Sequence, residues 1–238
     1  MPGVRDRGRR GARPRAGSVQ PREGRPVVPP KLDRAQVVDT ALRLLDETGL
    51  DGLTLRRIAT ELDVKAPALY WHFANKQALL DEMATEMLRR MSAGPAALPD
   101  SWQEALAGTC RGLRTALLGY RDGAKVFSGT RLTDQGHAEG QHALLGVLTR
   151  AGFELADAVQ AFTTGYAYTI GFVIEEQAVH PVPGERAPGY DAEQRAAEID
   201  PAYELAAAAG QDFFGDFERR FERGLAVVVA GVERVLGP

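Results

Sequence analysis

The sequence predicts an all-α protein: a three-helix head followed by a larger helical body. Three observations carry that reading. Apolar residues recur at three- and four-residue intervals in one segment after another, which is the spacing of a buried helical stripe. No segment shows the strict alternation of a half-buried strand. The stretch from Leu53 to Lys76, LTLRRIATELDVKAPALYWHFANK, reads as two short helices around a tight turn.

In chain order, residues 1–31 come first, and they are set apart by composition. They hold nine Lys/Arg against Asp6 and Glu23, a net +7 that leaves −10 on the remainder of a chain whose total is −3. Arg, Gly and Pro dominate and large apolar side chains are nearly absent, so this arm cannot offset its chain entropy by burial and is expected to be disordered. A basic arm on an acidic body suits a protein that touches nucleic acid at one end only, with the arm adding phosphate contacts.

Leu32 to Glu47 is the first expected helix, with Asp33 as N-cap and Val37, Ala41, Leu44 and Leu45 as its stripe. Thr48-Gly49 ends it and Asp51-Gly52 turns the chain. Thr54 caps the next helix, whose stripe is Leu55, Ile58, Ala59 and Leu62; Arg56 and Arg57 fall outside that stripe. After the turn Asp63-Val64-Lys65, Pro67 fits the first position of a helix because its missing N–H has no partner there anyway. This second helix, Pro67 to about His72, is too short to be stable alone and must be held by packing. The layout is a helix-turn-helix, the motif whose second helix enters a DNA major groove. Residues 32–78 therefore form the expected DNA-binding head.

Asn75 caps a helix from Lys76 to about Met91, with methionines 83, 87 and 91 as ordinary core filling. Gly94-Pro95 and Pro99 break the chain, and residues 79–238 are read as a ligand-binding and dimerisation body. Ser101 caps a helix bearing Trp102, Leu106, Leu113, Leu117 and Tyr120. A compact turn, YRDGAKVFSGTRLTDQG, follows. Helices are expected over Gln141–Ala151, ended by Gly152, and over Leu155 to about His180, where Gly165 and Gly171 allow close approach. Residues 181–201 read as a mobile loop. The last helix, Gln211 to about Leu236, carries Phe214, Phe217, Phe221, Leu225, Val228, Val232 and Val235 at alternating threes and fours, a seam that wants a partner helix.

Other classes find little support. One cysteine, Cys110, excludes an intramolecular disulfide and a cysteine-based zinc site. There is no phosphate loop or nucleophile elbow, and His137 and His142 are five residues apart, a poor helical spacing for a shared metal. Of the adjacent carboxylates Glu175 and Glu176, at least one should be solvated. An enzyme is not expected. No run approaches the ~20 apolar residues of a membrane span, and no secretory leader is evident, so a cytoplasmic location is expected. A DNA-coating protein without an effector is the other alternative, but the long body with its turn at 120–131 exceeds what dimerisation alone requires.

The segment GLDGLTLRRIATELDVKAPALYWHFANKQALLD resembles the DNA-binding head of the TetR family of bacterial regulators. The blocks LLGYRDGAKVFSGTR and TIGFVIEEQ resemble the regulatory domain of its tetracycline-binding members. The resemblance implies an all-α homodimer in which two helices of each body form a four-helix interface, here about 155–180 and 211–236. Phe214, Phe217, Phe221, Leu225 and Val228 are accordingly expected at the dimer interface. It implies that Arg56 reads guanine, that Ala66, Pro67, Ala68, Tyr70 and His72 line the recognition helix, and that Thr54, Tyr70 and Lys76 contact phosphate. Trp71 and Phe73 are expected to pack the helix instead. Alanines 66 and 68 replace polar base-reading side chains, which implies a different operator.

On the effector side the resemblance implies a pocket at Ser92, Thr109, Leu113, Phe127, Thr130, Arg131, Leu132 and Glu175. In the family's tetracycline-binding members the turn supplies a histidine that ligates drug-bound magnesium; the residue here is Phe127, which cannot ligate a metal. No metal or cofactor is therefore expected, and the effector is expected to be apolar. Partners implied are operator DNA, a small molecule and a second copy of the chain. An efflux or resistance gene is the implied target.

Overall fold

The computed structural model describes Gly3 and residues 32–92, 98–182 and 184–238. The expected disorder of the arm at 1–31 lies outside the described residues. Among those described, every regular element is helical and no strand occurs.

The head comprises α1 (Arg34–Gly52), α2 (Leu55–Glu61) and α3 (Ala66–Tyr70), followed by the connecting helix α4 (Lys76–Ser92). Side-chain caps set the starts. Asp33 accepts the Gln36 amide at 2.7 Å, Thr54 the Arg57 amide at 3.2 Å and Asn75 the Ala78 amide at 2.9 Å, each satisfying a donor with no partner inside its helix. α1 outruns the expected end at Glu47 but kinks at Gly49, where φ is +69°. Only glycine adopts that conformation cheaply, and a Cβ there would meet the Asp122 carboxylate at 2.9 Å. Val37, Leu45, Ile58, Leu69, Phe73, Leu79 and Met83 close one core.

The body comprises α5 (Trp102–Leu118), α6 (Gly123–Phe127), α7 (Gly136–Arg150), α8 (Leu155–Val179), α9 (Ala192–Glu198), a 3-10 turn (Pro201–Tyr203), α10 (Glu204–Ala208), α11 (Gly210–Phe214) and α12 (Phe217–Val235). Three stretches differ from expectation. The compact turn contains a helix, α6, and α7 begins five residues before Gln141. The 181–201 loop contains α9, capped by Asp191 on the Gln194 amide at 2.8 Å. The final helix is broken: α11 and α12 are separated at Asp216, which sits at φ +36° and caps α12 through the Arg219 amide.

Two apolar clusters build the body. α5, α7, α8 and α12 share Leu106, Cys110, Leu148, Ala161, Phe221 and Leu225. α4, α5, α6 and α8 share Ala84, Leu113, Phe127, Ile170 and Val173. Gly165 lets α8 approach α5, since a Cβ there would lie 2.9 Å from Cys110 Sγ, whereas Gly171 opens outward. α4 belongs to both halves: Leu79, Met83 and Met87 face the head core while Ala84, Leu88 and Met91 face the body. The boundary expected at 78/79 thus falls inside a helix that joins the halves, and residues Leu32–Pro238 form one compact unit.

Of the residues expected at the dimer seam, three are turned into the protomer. Phe217, Phe221 and Leu225 are buried in the protomer's own core, stacked on α8 through Tyr168 and Phe172, and Val228 packs half-buried beside them. Phe214 lies in α11 beneath Arg195 and against Tyr190. Part of the seam thus packs on α8 of its own protomer, while Phe214 and Val228 stay partly accessible. α12 instead exposes Arg223, Val227, Ala230 and Gly231 along one face, and α8 exposes Gln160, Thr164, Ala167 and Gly171.

Candidate DNA-reading and effector sites

The head presents an exposed surface built by α2 and α3. Thr54 and Arg56 are exposed at the start of α2, Pro67 on α3 and Lys76 at the start of α4; Ala66, Ala68 and His72 are half-buried. Tyr70 is 56% exposed. Trp71 is 90% exposed, contrary to the packing role expected of it, while Phe73 is 1% exposed and fills the core as expected. Leu69 and Phe73, four residues apart, anchor α3 and its end, and Trp71 between them is directed outward. The Lys76 ammonium donates to the Leu50 carbonyl at 3.2 Å across the end of α1.

The effector candidates divide. Leu113, Phe127 and Leu132 come together in the cluster under α4, with Phe127 7% exposed and its ring 6.5 Å from that of Tyr166. Thr130 is tied in by its hydroxyl, which donates to the Phe127 carbonyl at 2.7 Å. Thr109 is half-buried one turn above Leu113, its hydroxyl spent on the Ala105 carbonyl. Ser92 and Arg131 are exposed, and Glu175 lies exposed on the outer face of α8, away from the cluster. Sequence reasoning missed Leu88, Tyr166, Ile170 and Ile174. The α8 members gave no signal because a helix apolar nearly all round shows no stripe. Burial pushes the Tyr166 hydroxyl up, so the lining stays neutral at ordinary pH.

The inward carboxylate of α8 is Glu176. It receives Nε and Nη2 of Arg114 at 2.9 and 2.8 Å, and Glu218 of α12 takes Nη1. Burial works against the Arg114 charge, but these hydrogen bonds outweigh it and hold the guanidinium well above its usual pKa. The group links α5, α8 and α12 and leaves no free carboxylate for a ligand. Two clefts lie outside the apolar cluster: one of about 210 Å³ beside Tyr120, Arg121 and His180, and one of about 270 Å³ between α1 and α4 at Arg34, Glu82 and Arg89.

The site does not fit magnesium. Its lining offers alkyl and aromatic groups and a hydroxyl, and a hard cation wants several oxygens, carboxylates above all. Among the described residues no three His, Cys, Asp or Glu side chains gather as a ligand set.

Head and body meet at Asp122, itself at φ +54° before α6. Its carboxylate accepts the Leu50 amide at 3.0 Å and the Lys125 ammonium at 2.8 Å. Beside it the Arg121 amide donates to Asp46 at 2.9 Å. The turn that carries Phe127 is thus bonded at its other end to the last turn of α1.

Comparison with known proteins matches both halves. Residues 37–83 fit the family model of bacterial regulatory proteins of the tetR family, and residues 94–236 fit the tetracyclin repressor-like C-terminal domain. The class A tetracycline repressor from transposon 1721 of Escherichia coli is 44% identical over 206 residues, 86% of this chain and 92% of that one. A possible TetR family transcriptional regulator from Streptomyces coelicolor A3(2) superposes with a TM-score of 0.74 at 40% identity, over 85% of this chain and 100% of its own. TetR(class A) in complex with 5a,6-anhydrotetracycline and magnesium superposes with a TM-score of 0.59 at 37% identity, over 83% and 96%. No helix among the described residues is long and apolar enough to cross a membrane.

Proposed function

The chain belongs to the TetR family of bacterial regulators, and on that premise we propose that it is a repressor released from its operator by an apolar small molecule. A ligand-responsive transcriptional repressor is the role the family gives it. The finer reading concerns what each site recognises. The observation that carries it is the neutral cluster of Leu113, Phe127, Leu132 and Tyr166 packed directly against α4, the helix that also enters the head core.

Two copies bind a palindromic operator, with recognition helices about 34–36 Å apart in successive major grooves. Arg56 pairs with a guanine edge; Tyr70, Trp71 and His72 cover the neighbouring backbone and bases; Thr54 and Lys76 hold phosphate. Dimerisation uses the exposed small-residue faces of α8 and α12, Ala167 and Gly171 against Val227 and Gly231, where backbones can approach closely. An effector entering the cluster displaces the turn at 127–133 and with it α4, changing the spacing of the two heads. It does so only to the extent that it binds the released state better. The controlled gene is an efflux or resistance function by analogy with the family.

Gel-shift titration with Arg56→Ala tests the DNA side on a duplex selected in vitro by the wild-type chain. Loss of a bidentate guanine contact weakens binding by roughly 1–3 kcal/mol, tenfold or more, and relaxes discrimination at one base pair. Unchanged affinity would remove Arg56 from the reading.

A further inference from the structure

Arg34, the first residue of α1, bonds the end of α3 and the connecting helix α4 through all three guanidinium nitrogens. Nη1 donates to the His72 carbonyl at 2.6 Å, just beyond α3, while Nε and Nη2 donate to Glu82 Oε2 of α4 at 2.9 and 2.6 Å. The group also lies 4.4 Å from the centroid of Phe73, so it is fixed in plane as well as in reach. A carbonyl at a helix end has no partner within its own helix, and here Arg34 supplies one.

The same oxygen of Glu82 has another donor. Thr133, in the turn after α6, has its hydroxyl 3.1 Å from both Glu82 Oε2 and the Thr85 hydroxyl, and the charged carboxylate is the stronger acceptor for its one proton. Its amide donates to the buried Thr85 hydroxyl at 2.8 Å, and two residues earlier the Arg131 amide donates to Asp81 at 3.1 Å. One carboxylate oxygen is therefore held by three donors, two from Arg34 and one from the turn that carries Phe127. Thr133 helps fix that oxygen where Arg34 reaches it, so a displacement of the turn loosens the hold of Arg34.

We propose that Arg34 and Glu82 are a positioning pair that carries the state of the 127–133 turn to the end of the recognition helix. The proposal rests on the repressor reading above and gives it a route that runs through side chains, alongside the movement of α4 as a whole. Arg34 acts through His72 and not by touching DNA.

The test uses the full-length dimer and needs no effector. Amide hydrogen exchange at residues 69–73 is measured without DNA, and affinity is measured on the in vitro-selected duplex. Arg34→Gln and Glu82→Gln each weaken operator binding about tenfold and Thr133→Val about threefold, within the range a coupling network supplies. Thr133→Val also speeds exchange at 69–73, and Thr133→Ser, which keeps the hydroxyl, restores both readouts. Glu82→Gln/Thr133→Val binds no more weakly than Glu82→Gln alone, because both changes act on one oxygen. Where Arg34→Gln unfolds, Arg34→Lys keeps the charge and loses the fork.

Salt dependence separates positioning from contact. If Arg34 touched phosphate, Arg34→Gln would reduce the salt slope of binding by about one; the pair predicts an unchanged slope. Additive effects of Glu82→Gln and Thr133→Val, or unchanged exchange at 69–73 in Thr133→Val, would overturn the pair. A wild-type chain that selects no duplex would overturn the repressor reading, and the exchange measurements would still judge the pair.

Discussion

Phe127→Ala is the perturbation that most directly opens the effector cluster. Phe127 is 7% exposed and packs among Leu113, Leu132 and Tyr166. Truncating a buried Phe to Ala costs about 3–5 kcal/mol, the lower end where a site retains some access to solvent, so about 3 kcal/mol is expected here. For a chain of this length that lowers Tm by roughly 6–12 °C at fixed protein concentration. The cavity left behind is apolar, and such cavities stay dry and accept benzene-sized guests. An aromatic guest such as indole at a hundredfold excess over its Kd returns about 2.7 kcal/mol and most of the lost Tm. Differential scanning fluorimetry of wild type and variant, with and without indole, reads both quantities. A fall of less than about 2 °C, or no recovery with any small aromatic guest, would refute the packing argument for Phe127.

Three further outcomes follow from the same geometry. Glu176→Ala leaves Arg114 buried with one exposed partner and destabilises by about 3 kcal/mol in chemical denaturation, whereas Arg114→Met/Glu176→Leu is close to neutral, because buried pairs cost most when only half is removed. Operator binding changes the intrinsic fluorescence through exposed Trp71. The response persists in Trp102→Phe and vanishes in Trp71→Phe, since Trp102 packs against Phe153 at 5.0 Å in the body. Asp122 supplies a pH signature. Burial works against its charge, but Lys125 and the Leu50 amide outweigh that and hold its pKa below the ordinary value. The folded pKa being lower than the unfolded one, near 3.9, its contribution is full above about pH 4 and fades as pH falls through the folded value. The stability gap between wild type and Asp122→Asn is then constant from pH 5 to 8 and closes below about pH 4.

What could be read in the sequence was local or repeated. Asp33, Thr54, Asn75 and Ser101 cap the helices they precede because a cap needs only its own three following residues. The stripes of α1 and α2 are buried as their spacing required. Trp71 was misread because five residues of α3 are too few for a period to declare a face. Phe217, Phe221 and Leu225 were expected at a dimer interface and are buried against α8 of the same protomer, a distinction that periodicity does not make. α6 was invisible because its sequence, GAKVF, is a single turn that gains its place from Val126 in the head core and Phe127 in the body. Arg34 and Glu82 are forty-eight residues apart, and nothing short of the fold could have paired them.

On the reading proposed above, an apolar ligand, and not a magnesium chelate, releases this repressor. Fluorescence anisotropy of the selected duplex bound to the wild-type dimer tests it most directly, titrated with a panel of neutral aromatic and polycyclic compounds and, in parallel, with tetracycline with and without magnesium. A neutral member of the panel is expected to lower operator affinity at least tenfold with no dependence on magnesium. Release by tetracycline alone, and only when magnesium is present, would contradict it.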